Sequence, residues 1–307
     1  FDNELAYLLG LAFVEVRRRD ADIPAGKRLT IGVGADMRLS SPILKENLLR
    51  GLTDAGADAV DLDLVSTPTF YFAVAEYGYD GGLMVSASHN PKEWNGFKLV
   101  RAKGVPISGD SGIMEIKDLI LANRFLPAQE KGRVIGNGRA LTDELAYTDS
   151  LSERFGLVRP LNIVCDTANG MGASYLEPLL KNLPGEHYFM NLQLDGSFPA
   201  NEADPLKEEN MRSLQEEVKT RRADLGIATD GDGDRIFFVD NEGRTVNQSI
   251  IRGLLAQSFL TDKPGAKIGY DVRPGKITAD LIEAAGGIPV VTRVGHSLIK
   301  EQMLKED

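Results

Sequence analysis

Three aspartates alternate with glycines in a short loop, residues 229–235, which we call the acidic loop. Asp230, Asp232 and Asp234 repel one another, and burying them without a compensating charge would be costly. The intervening glycines allow the backbone to curl tightly enough for the three side chains to converge. Oxygen ligands on a short loop favour a hard divalent cation, and Mg²⁺ usually keeps coordination positions for substrate phosphate. The spacing therefore predicts a magnesium site.

Two other interpretations of the acidic loop compete with a magnesium site. An EF-hand counted from Asp230 needs glycine at its sixth position and glutamate at its twelfth, but the chain has Arg235 and Asn241 there. The loop is also flanked by strand-like runs, residues 223–228 and 236–239, where an EF-hand has helices. A solvated acidic turn of a hairpin is the second alternative, because Asp and Gly are common turn residues. We prefer the metal loop.

A second polar stretch, residues 86–91 (Ser-Ala-Ser-His-Asn-Pro), directly follows the strand-like run 82–85 and precedes residues 95–98 (Asn-Gly-Phe-Lys). Polar residues just past a strand end occupy the position of ligand-binding loops in α/β sheets. The stretch lacks the Gly-x-Ser-x-Gly pattern of acyl hydrolases, so Ser88 is not interpreted as an acyl nucleophile. Taken alone, the stretch is equally compatible with side chains that only complete a turn.

These two loops must be carried by a repeated α/β framework. A strand that ends in an aspartate, followed by a turn, a helix and another strand, is predicted three times, with the strand-final residues Asp36, Asp166 and Asp271. The interval between these aspartates is far too long for a solenoid. We therefore predict an α/β fold of three successive domains of similar mixed-sheet design, with mainly parallel pairing through helical crossovers. The predicted domains are residues 1–140, 141–243 and 244–307.

Local patterns predict several of the helices. Residues 1–19 have the apolar spacing of an amphipathic helix. Ser41 is predicted to cap the next helix, with Pro42 at its first position, and that helix carries leucines at every fourth position on one face. Residues 141–155 are predicted to form the helix that enters the second domain.

The composition limits the classes of partner. With 307 residues, of which 42% are hydrophobic and 26% are charged, the chain is typical of a globular protein with more than one domain. Its formal net charge of −10 argues against nucleic acid or an anionic membrane as the main partner. The single cysteine, Cys165, excludes an intrachain disulfide, and its apolar surroundings favour a core position. We recognise no signal peptide and no bilayer-length apolar run, so a cytoplasmic location is expected.

Together the two polar loops resemble the signature loops of the α-D-phosphohexomutase family, which includes phosphomannomutase/phosphoglucomutase and phosphoglucosamine mutase. Further matches occur in family order over nearly the whole chain. The matching motifs are Arg38-Leu-Ser-Ser-Pro42, Ser86-Ala-Ser-His-Asn-Pro91, Asn95-Gly-Phe-Lys98, Asp166-Thr-Ala-Asn-Gly170, Phe198-Pro199 with Asp204-Pro205, Asp230-Gly-Asp-Gly-Asp-Arg235 and Val294-Gly-His-Ser-Leu-Ile-Lys300.

The resemblance implies a reversible transfer of phosphate between C1 and C6 of a hexose phosphate, which is the expected substrate. Ser88 matches the family's active serine, which carries a phosphate in the resting enzyme. One Mg²⁺ per chain would be held by Asp230, Asp232 and Asp234 and would also contact the phosphate on Ser88. The phosphate passes to the substrate and gives a bisphosphorylated hexose, the intermediate and activator, which turns over in the site and returns its other phosphate to the serine.

The resemblance also implies roles for basic residues, because a phosphoryl group in transfer needs its charge neutralised. A general base must in addition accept the proton of the incoming hydroxyl. His89 is the first candidate and Lys98 the second, whereas Arg273 would be a difficult base because the pKa of arginine lies above ~12. The family motifs assign His89, Lys98 and Arg235 to catalysis beside Ser88, and Arg38, Arg273, Gly295 and His296 to binding of substrate or phosphate.

The chain departs from the family pattern at both ends. It lacks the opening Tyr-Asp-x-Arg-Gly strand, and it ends before the Gly-Glu-x-Ser-Gly-His loop that reads sugar hydroxyls and before the fourth domain. Ala35 stands where many relatives have arginine, and Trp94 where tyrosine is common. The resemblance therefore implies a fragment of a four-domain enzyme, which we expect to bind metal but to turn over substrate poorly.

Three alternatives to a mannose or glucose phosphate mutase stay open. The first is phosphoglucosamine mutase. The only residue that argues against it is Phe97, since glucosamine relatives more often have isoleucine there. The second is a haloacid-dehalogenase-type phosphatase with Asp230 as nucleophile and Asp232 as acid, although such a pair should follow the first strand of a single domain. The third is a non-catalytic phosphosugar or Mg²⁺ binder. The sequence determines neither the hexose nor the oligomeric state.

Overall fold

The structure is a computed structural model that describes residues 2–125, 128–152, 159–273 and 275–306. The chain forms two compact units, Phe1–Gly243 and Arg244–Asp307. Strands of the described residues form three sheets, two in the first unit and one in the second, with both parallel and antiparallel pairs. The predicted mixed α/β fold is confirmed, and the predicted domain bounds stay a prediction.

The first sheet contains five strands and is accompanied by five helices. The strands are β1 (Thr30–Ala35), β2 (Asp58–Leu64), β3 (Gly81–Val85), β4 (Phe97–Arg101) and β5 (Val134–Gly136). The helices are α1 (Asn3–Arg19), α2 (Ser41–Asp54), α3 (Thr67–Glu76), α4 (Ile113–Ala122) and α5 (Ala140–Ser152). The strand order is β4-β3-β1-β2-β5, and all pairs are parallel except β3 with β4.

Apolar side chains cover both faces of this first sheet. One cluster joins α1, α2 and α4 to the strands and includes Phe13, Leu48 and Val85. The other packs α3 against the opposite face and includes Phe70 and Met84. Because both faces are buried at the centre of the sheet, the central strands β1 and β3 are almost continuously apolar. The loops that follow these strands therefore start from a rigid support.

The second sheet belongs to the same unit and carries the acidic loop. Its strands are β6 (Ile163–Asp166), β7 (His187–Met190), β8 (Leu225–Thr229) and β9 (Ile236–Asp240), and its helices are α6 (Leu176–Leu180) and α7 (Glu208–Arg221). The order is β7-β6-β8-β9, with β8 and β9 antiparallel, so the acidic loop joins two neighbouring strands. Cys165 is buried against α6, which confirms its predicted core position.

The second unit contains a smaller sheet of two parallel strands. Its elements are α8 (Gln248–Asp262), β10 (Lys267–Asp271), α9 (Lys276–Ala284), β11 (Ile288–Thr292) and α10 (His296–Glu306). Its core is formed by Ala256, Leu260 and Ile282. Across the residues described in both units, none of the helices has the length and apolar character needed to cross a membrane.

The three strand-final aspartates have one structural role in common. Oδ1 of Asp36 accepts a hydrogen bond from the amide of Arg38 at 3.1 Å, Oδ1 of Asp166 from Ala168 at 2.9 Å, and Oδ1 of Asp271 from Arg273 at 3.0 Å. Each carboxylate thereby caps the turn that leaves its strand, a local bond typical of aspartate. The repeat that the sequence shows is thus a repeated turn.

The predicted cap of α2 is wrong. Ser41 is the first helical residue rather than the cap, which is Ser40, and Ser40 makes no side-chain capping bond. The hydroxyl of Ser41 instead donates to Oδ1 of Asp36 at 2.6 Å. A buried carboxylate at the end of β1 competes for the hydroxyl, and a charged acceptor forms the stronger hydrogen bond.

Helices α1 and α2 cross at glycines, which leads to a test of their packing. A Cβ atom added to Gly51 would lie 2.1 Å from the carbonyl oxygen of Tyr7. In an open helix, alanine for glycine gains about 1 kcal/mol, but here we expect Gly51→Ala to lower the free energy of unfolding by about 1–3 kcal/mol, because the backbones must separate. Urea denaturation would measure the change. Gly109→Ala, which adds a Cβ in open space, should stay near zero, and an equal loss in both variants would contradict the close crossing.

Candidate active site

The acidic loop turns tightly enough for its three aspartates to converge. One carboxylate oxygen from each of Asp230, Asp232 and Asp234 lies within 4.8 Å of the others. A Cβ atom added to Gly231 would lie 2.4 Å from the carbonyl oxygen of Ser88. Glycine is therefore needed at this position, because the segment between β3 and β4 of the first sheet approaches the loop directly.

Two of the three carboxyl groups are withdrawn from solvent. Asp230 and Asp232 are 0% exposed, and the side chain of Asp234 is partly exposed. Burial and the negative charges of Asp232 and Asp234 raise the pKa of Asp230 to about 8. Burial also acts to raise the pKa of Asp232, but the ammonium of Lys98 outweighs burial and holds that pKa below its usual range. The raised pKa of Asp230 reflects the cost of placing its negative charge beside two other carboxylates, a cost that a bound cation would offset.

The donor set fits a divalent metal ion. Oδ1 of Asp232 is buried and has no hydrogen-bond partner among the described residues. Buried acceptors without a partner are uncommon in folded proteins, and a bound cation is one way to satisfy such an oxygen. The available ligand atoms are all carboxylate oxygens, which are the hard donors that Mg²⁺ takes. Asp230, Asp232 and Asp234 can therefore hold a metal ion.

The segment that approaches the acidic loop is residues 86–94, which follow β3 and which we call the serine loop. The hydroxyl of Ser88 donates a hydrogen bond to Oδ2 of Asp230 at 2.7 Å. Ser88 has a φ of 53°, which is uncommon for a residue other than glycine. Its amide donates to Oγ of Ser86 at 2.9 Å. Two loops that are 142 residues apart in the chain thus meet through one short hydrogen bond.

His89 lies on the serine loop beside this hydrogen bond. Its Nδ1 is 3.4 Å from Oγ of Ser88. Burial and the positive charge of Arg235 lower the pKa of His89 below its usual value. The imidazole is therefore neutral near pH 7 and able to accept a proton.

Lys98, on β4, is paired with the acidic loop. Its Nζ lies 2.5 Å from Oδ2 of Asp232 and 2.6 Å from Oδ2 of Asp234. Although burial disfavours the ammonium, the two carboxylates outweigh burial and raise the pKa of Lys98. Lys98 is therefore held as a cation, which makes His89 the better proton acceptor of the two.

Arg235 closes the acidic loop and faces solvent in part. Its amide donates to Oδ1 of Asp230 at 3.1 Å. Its Nε lies 3.8 Å from Oδ2 of Asp230 and 3.9 Å from Oδ1 of Asp234, and its side chain is 38% exposed. The guanidinium is thus close enough to the carboxylates to balance their charge and open enough to meet an incoming anion.

Arg38 lies behind the serine loop. The residue is 1% exposed, and both terminal nitrogens of its guanidinium donate to backbone carbonyl oxygens of that loop. This arrangement gives Arg38 a role in holding the loop, which the sequence did not indicate. Its predicted contact with phosphate stays a prediction.

The remaining predicted site residues belong to the second unit. The side chain of Arg273 is paired there with Asp271, with Nε 3.0 Å from Oδ1. Gly295 has a φ of 133° and precedes His296, the first residue of α10. The side chain of His296 lies outside the part of the chain that is described. The predicted roles of Arg273, Gly295 and His296 in substrate binding stay predictions.

Thr67 and Tyr175 also support the acidic loop, and sequence reasoning missed both. The hydroxyl of Thr67 donates to Oδ2 of Asp232 at 2.5 Å, and its amide donates to the carbonyl oxygen of the same aspartate at 3.0 Å. The hydroxyl of Tyr175 donates to the carbonyl oxygen of Gly233 at 2.8 Å. The only sequence signal for Thr67 is its place just after a strand, at the start of α3.

Comparison with protein families places these loops in a known context. A model described as phosphoglucomutase/phosphomannomutase, alpha/beta/alpha domain I, matches residues 1–126. The corresponding model of alpha/beta/alpha domain II matches residues 145–243. The first match contains the serine loop and the second contains the acidic loop.

Comparison with individual proteins gives the same result. A phosphomannomutase of Vibrio cholerae is 38% identical over 313 residues, which covers 100% of this chain and 66% of that protein. A phosphomannomutase of Escherichia coli K12 is 39% identical over 316 residues, with the same two shares. The crystal structure of a phosphoglucomutase/phosphomannomutase family protein from Burkholderia thailandensis superposes with a TM-score of 0.88 at 32% identity and covers 99% of this chain and 65% of that chain. The chain therefore spans 66% of the length of these curated relatives.

Proposed function

The chain belongs to the phosphoglucomutase/phosphomannomutase family, and from this membership we propose that its protein is a phosphohexomutase. It moves phosphate between C1 and C6 of a hexose, with mannose or glucose phosphate as substrate. Ser88 carries the phosphate between the two positions, and a bisphosphorylated hexose is the intermediate. The proposed cofactor is one Mg²⁺ on Asp230, Asp232 and Asp234.

The observation that carries this proposal is the hydrogen bond from Oγ of Ser88 to Oδ2 of Asp230, at 2.7 Å. A serine hydroxyl beside three converging carboxylates is a poor arrangement for acyl transfer, because negative charge would oppose the developing oxyanion. The same arrangement suits phosphoryl transfer, where a divalent cation on the carboxylates offsets the charge of the phosphate.

The chain's own residues suit the step in which Ser88 takes up phosphate. Oγ of Ser88 forms the new bond to phosphorus while the bond between phosphorus and the sugar oxygen breaks. The serine proton passes to a neighbouring base, and the released sugar oxygen takes up a proton and becomes a hydroxyl. Lys98 and Arg235 supply fixed positive charge close to the reacting hydroxyl. When bound, Mg²⁺ would neutralise charge on the transferring group.

Proton transfer is assigned to His89, with Lys98 as the second candidate. Nδ1 of His89 is 3.4 Å from Oγ of Ser88, a distance that tightens readily when substrate closes a site. Lys98 is paired with two carboxylates, so it must lose both partners before it can serve as a base. The comparison of His89 with Lys98 supports the neutral imidazole of His89 as the group that receives the hydroxyl proton.

Phosphate uptake by the intact chain tests the proposal. The chain is incubated with Mg²⁺ and glucose 1,6-bisphosphate or mannose 1,6-bisphosphate, and the phosphorylated peptide is identified by mass spectrometry. We expect a single phosphate on Ser88, together with release of hexose monophosphate. Phosphate on Asp230 would instead support a phosphatase of the haloacid-dehalogenase type, and a chain that takes up no phosphate from either sugar would contradict the proposal.

A further inference from the structure

One guanidinium group holds the serine loop from behind. Nη1 of Arg38 donates to the carbonyl oxygen of Pro91 at 2.8 Å and to that of Trp94 at 3.0 Å. Nη2 donates to the carbonyl oxygen of Ser88 at 2.8 Å and to that of Asn90 at 2.6 Å. Because the guanidinium is planar and its N–H donors are fixed in direction, one side chain sets these four carbonyls relative to one another.

The guanidinium is itself fixed by the residue that follows β1 and by the segment that follows β7. Nε of Arg38 lies 3.3 Å from Oδ2 of Asp36, at the end of β1. The ring of Phe198, which belongs to the segment between β7 and α7, lies 5.2 Å from the guanidinium carbon. A Cβ atom added to Gly196 would lie 2.4 Å from the carbonyl oxygen of Met37, so that segment closes tightly over Arg38. The arginine has no room to swing toward solvent.

Of the four carbonyl groups that Arg38 binds, that of Ser88 has the largest effect on the geometry of the site. A φ of 53° is unfavourable for serine, and such a conformation persists only where the surroundings enforce it. The amide of Ser88 is bound by Oγ of Ser86 and its carbonyl by Nη2 of Arg38, so both peptide groups that flank its Cα are fixed. This backbone conformation sets the direction of the Cα–Cβ bond that carries Oγ, and Oγ contacts Asp230 from it.

We propose that Arg38 is the positioning residue of the serine loop, which holds Ser88 in its left-handed conformation and so directs Oγ at the acidic loop. This role concerns the geometry of the loop and rests on the contacts above. Its consequence for phosphate uptake rests on the proposed function. Lysine cannot take over the role, because a single ammonium with three donors cannot reach four carbonyls spread over the loop.

The variant Arg38→Lys tests this inference, with Arg17→Lys as the matched control. Arg17 is also fully buried, and its Nε and Nη2 donate to the carbonyl oxygen of Asp80 at 2.9 and 2.8 Å. Both variants replace a buried guanidinium that binds backbone carbonyls, so both are expected to lose stability. Only Arg38→Lys should free the serine loop.

Motion of the loop is measured by time-resolved fluorescence anisotropy of Trp94, the only tryptophan, which is 62% exposed. We expect the amplitude of nanosecond depolarisation to rise about twofold in Arg38→Lys, since freed loops move on this timescale. In Arg17→Lys the amplitude should equal that of the parent chain. An unchanged amplitude in Arg38→Lys, or an equal rise in both variants, would overturn the inference.

Phosphate uptake at Ser88 separates the inference from the proposed function. Arg38→Lys should take up phosphate about a hundredfold more slowly, because an error of about 1 Å in a reacting group has an effect of that size. Its Mg²⁺ affinity should match that of the parent, since no ligand changes. A parent chain without any uptake would defeat the proposed function and leave the anisotropy result standing, whereas equal uptake in the parent and in Arg38→Lys would defeat the role of Arg38.

Hydrogen exchange of the unaltered chain tests the same inference if Arg38→Lys does not fold. The amide of Asn90 is bonded to the carbonyl oxygen of Ala87 and that of Trp94 to the carbonyl oxygen of Pro91, both at 3.0 Å. A loop held by Arg38 should open rarely, so these amides should exchange at least about tenfold more slowly than that of Gly243, which closes a turn after β9. Exchange as fast as at Gly243 would show that the loop is not held.

Discussion

Replacing Ser88 with alanine is expected to abolish the uptake of phosphate from a sugar 1,6-bisphosphate, with a rate at least about a thousandfold below that of the parent chain. The hydroxyl of Ser88 is the proposed acceptor, and it already lies against Asp230 at 2.7 Å. Alanine removes only Oγ, and the two contacts that hold the backbone of Ser88, to Ser86 and Arg38, do not depend on it. The loss should therefore be chemical, with little change in the thermal midpoint.

The control for this variant is Ser111→Ala. Oγ of Ser111 accepts a hydrogen bond from the amide of Ser108 at 2.7 Å, in the turn that leads into α4. Ser111→Ala should take up phosphate at the parent rate, as measured by mass spectrometry of the intact chain over time. If Ser88→Ala still gained one phosphate at a comparable rate, the covalent role of Ser88 would be wrong, and the position of the phosphate would identify the true acceptor.

The acidic loop and the serine loop could be predicted from the sequence because the types and spacing of their residues indicate their chemistry. Three aspartates at alternate positions cannot be explained by packing, and Ser88-His89 follows an apolar strand at the position of a ligand loop. That the two loops meet was an expectation from family resemblance alone. Residues 142 apart in the chain are brought together by the packing of two sheets, which no local pattern encodes.

The supporting residues could not be predicted, because their roles depend on tertiary contacts. Arg38 was expected to bind phosphate only because it lies in a motif that matches the family. Its burial follows from the closure of the segment around Gly196 over it, a contact far away in sequence. Thr67 is a threonine at a helix start like many others, and only its distance of 2.5 Å to Asp232 gives it a function. The predicted cap at Ser41 was wrong because its hydroxyl binds the carboxylate of Asp36.

The first turn of α3 supports the acidic loop at Asp232. We therefore expect substitution of Asp232 to affect metal binding more than substitution of the other two aspartates. Thr67 binds the carboxylate and the carbonyl group of Asp232, and Lys98 binds the same carboxylate oxygen from β4. The other carboxylate oxygen, Oδ1, is left buried and unpartnered among the described residues. One oxygen of Asp232 is thus committed to positioning and the other is free to bind a cation.

We therefore expect Asp232→Asn to lower the affinity for Mg²⁺ by more than about a hundredfold, since the loss of an outer partner alone costs about 10–100-fold at metal sites. Asparagine keeps the shape of the side chain and an acceptor for Thr67, but it removes the negative charge. A thermal shift measures the change: at a metal concentration about 100 times the dissociation constant, the parent gains ~2.7 kcal/mol, whereas the variant should gain under ~0.5 kcal/mol. Isothermal titration with Mg²⁺ provides a second measurement without heating.

The matched control is Asp224→Asn, at the opposite end of the same strand, β8. Oδ2 of Asp224 accepts a hydrogen bond from the amide of Asn162 at 2.8 Å, and an asparagine oxygen can accept the same bond. This variant loses an equal charge but no proposed ligand, so its stabilisation by Mg²⁺ should equal that of the parent. A similar loss in both variants would mean that net charge rather than coordination governs the response. An undiminished response in Asp232→Asn would exclude Asp232 as a ligand.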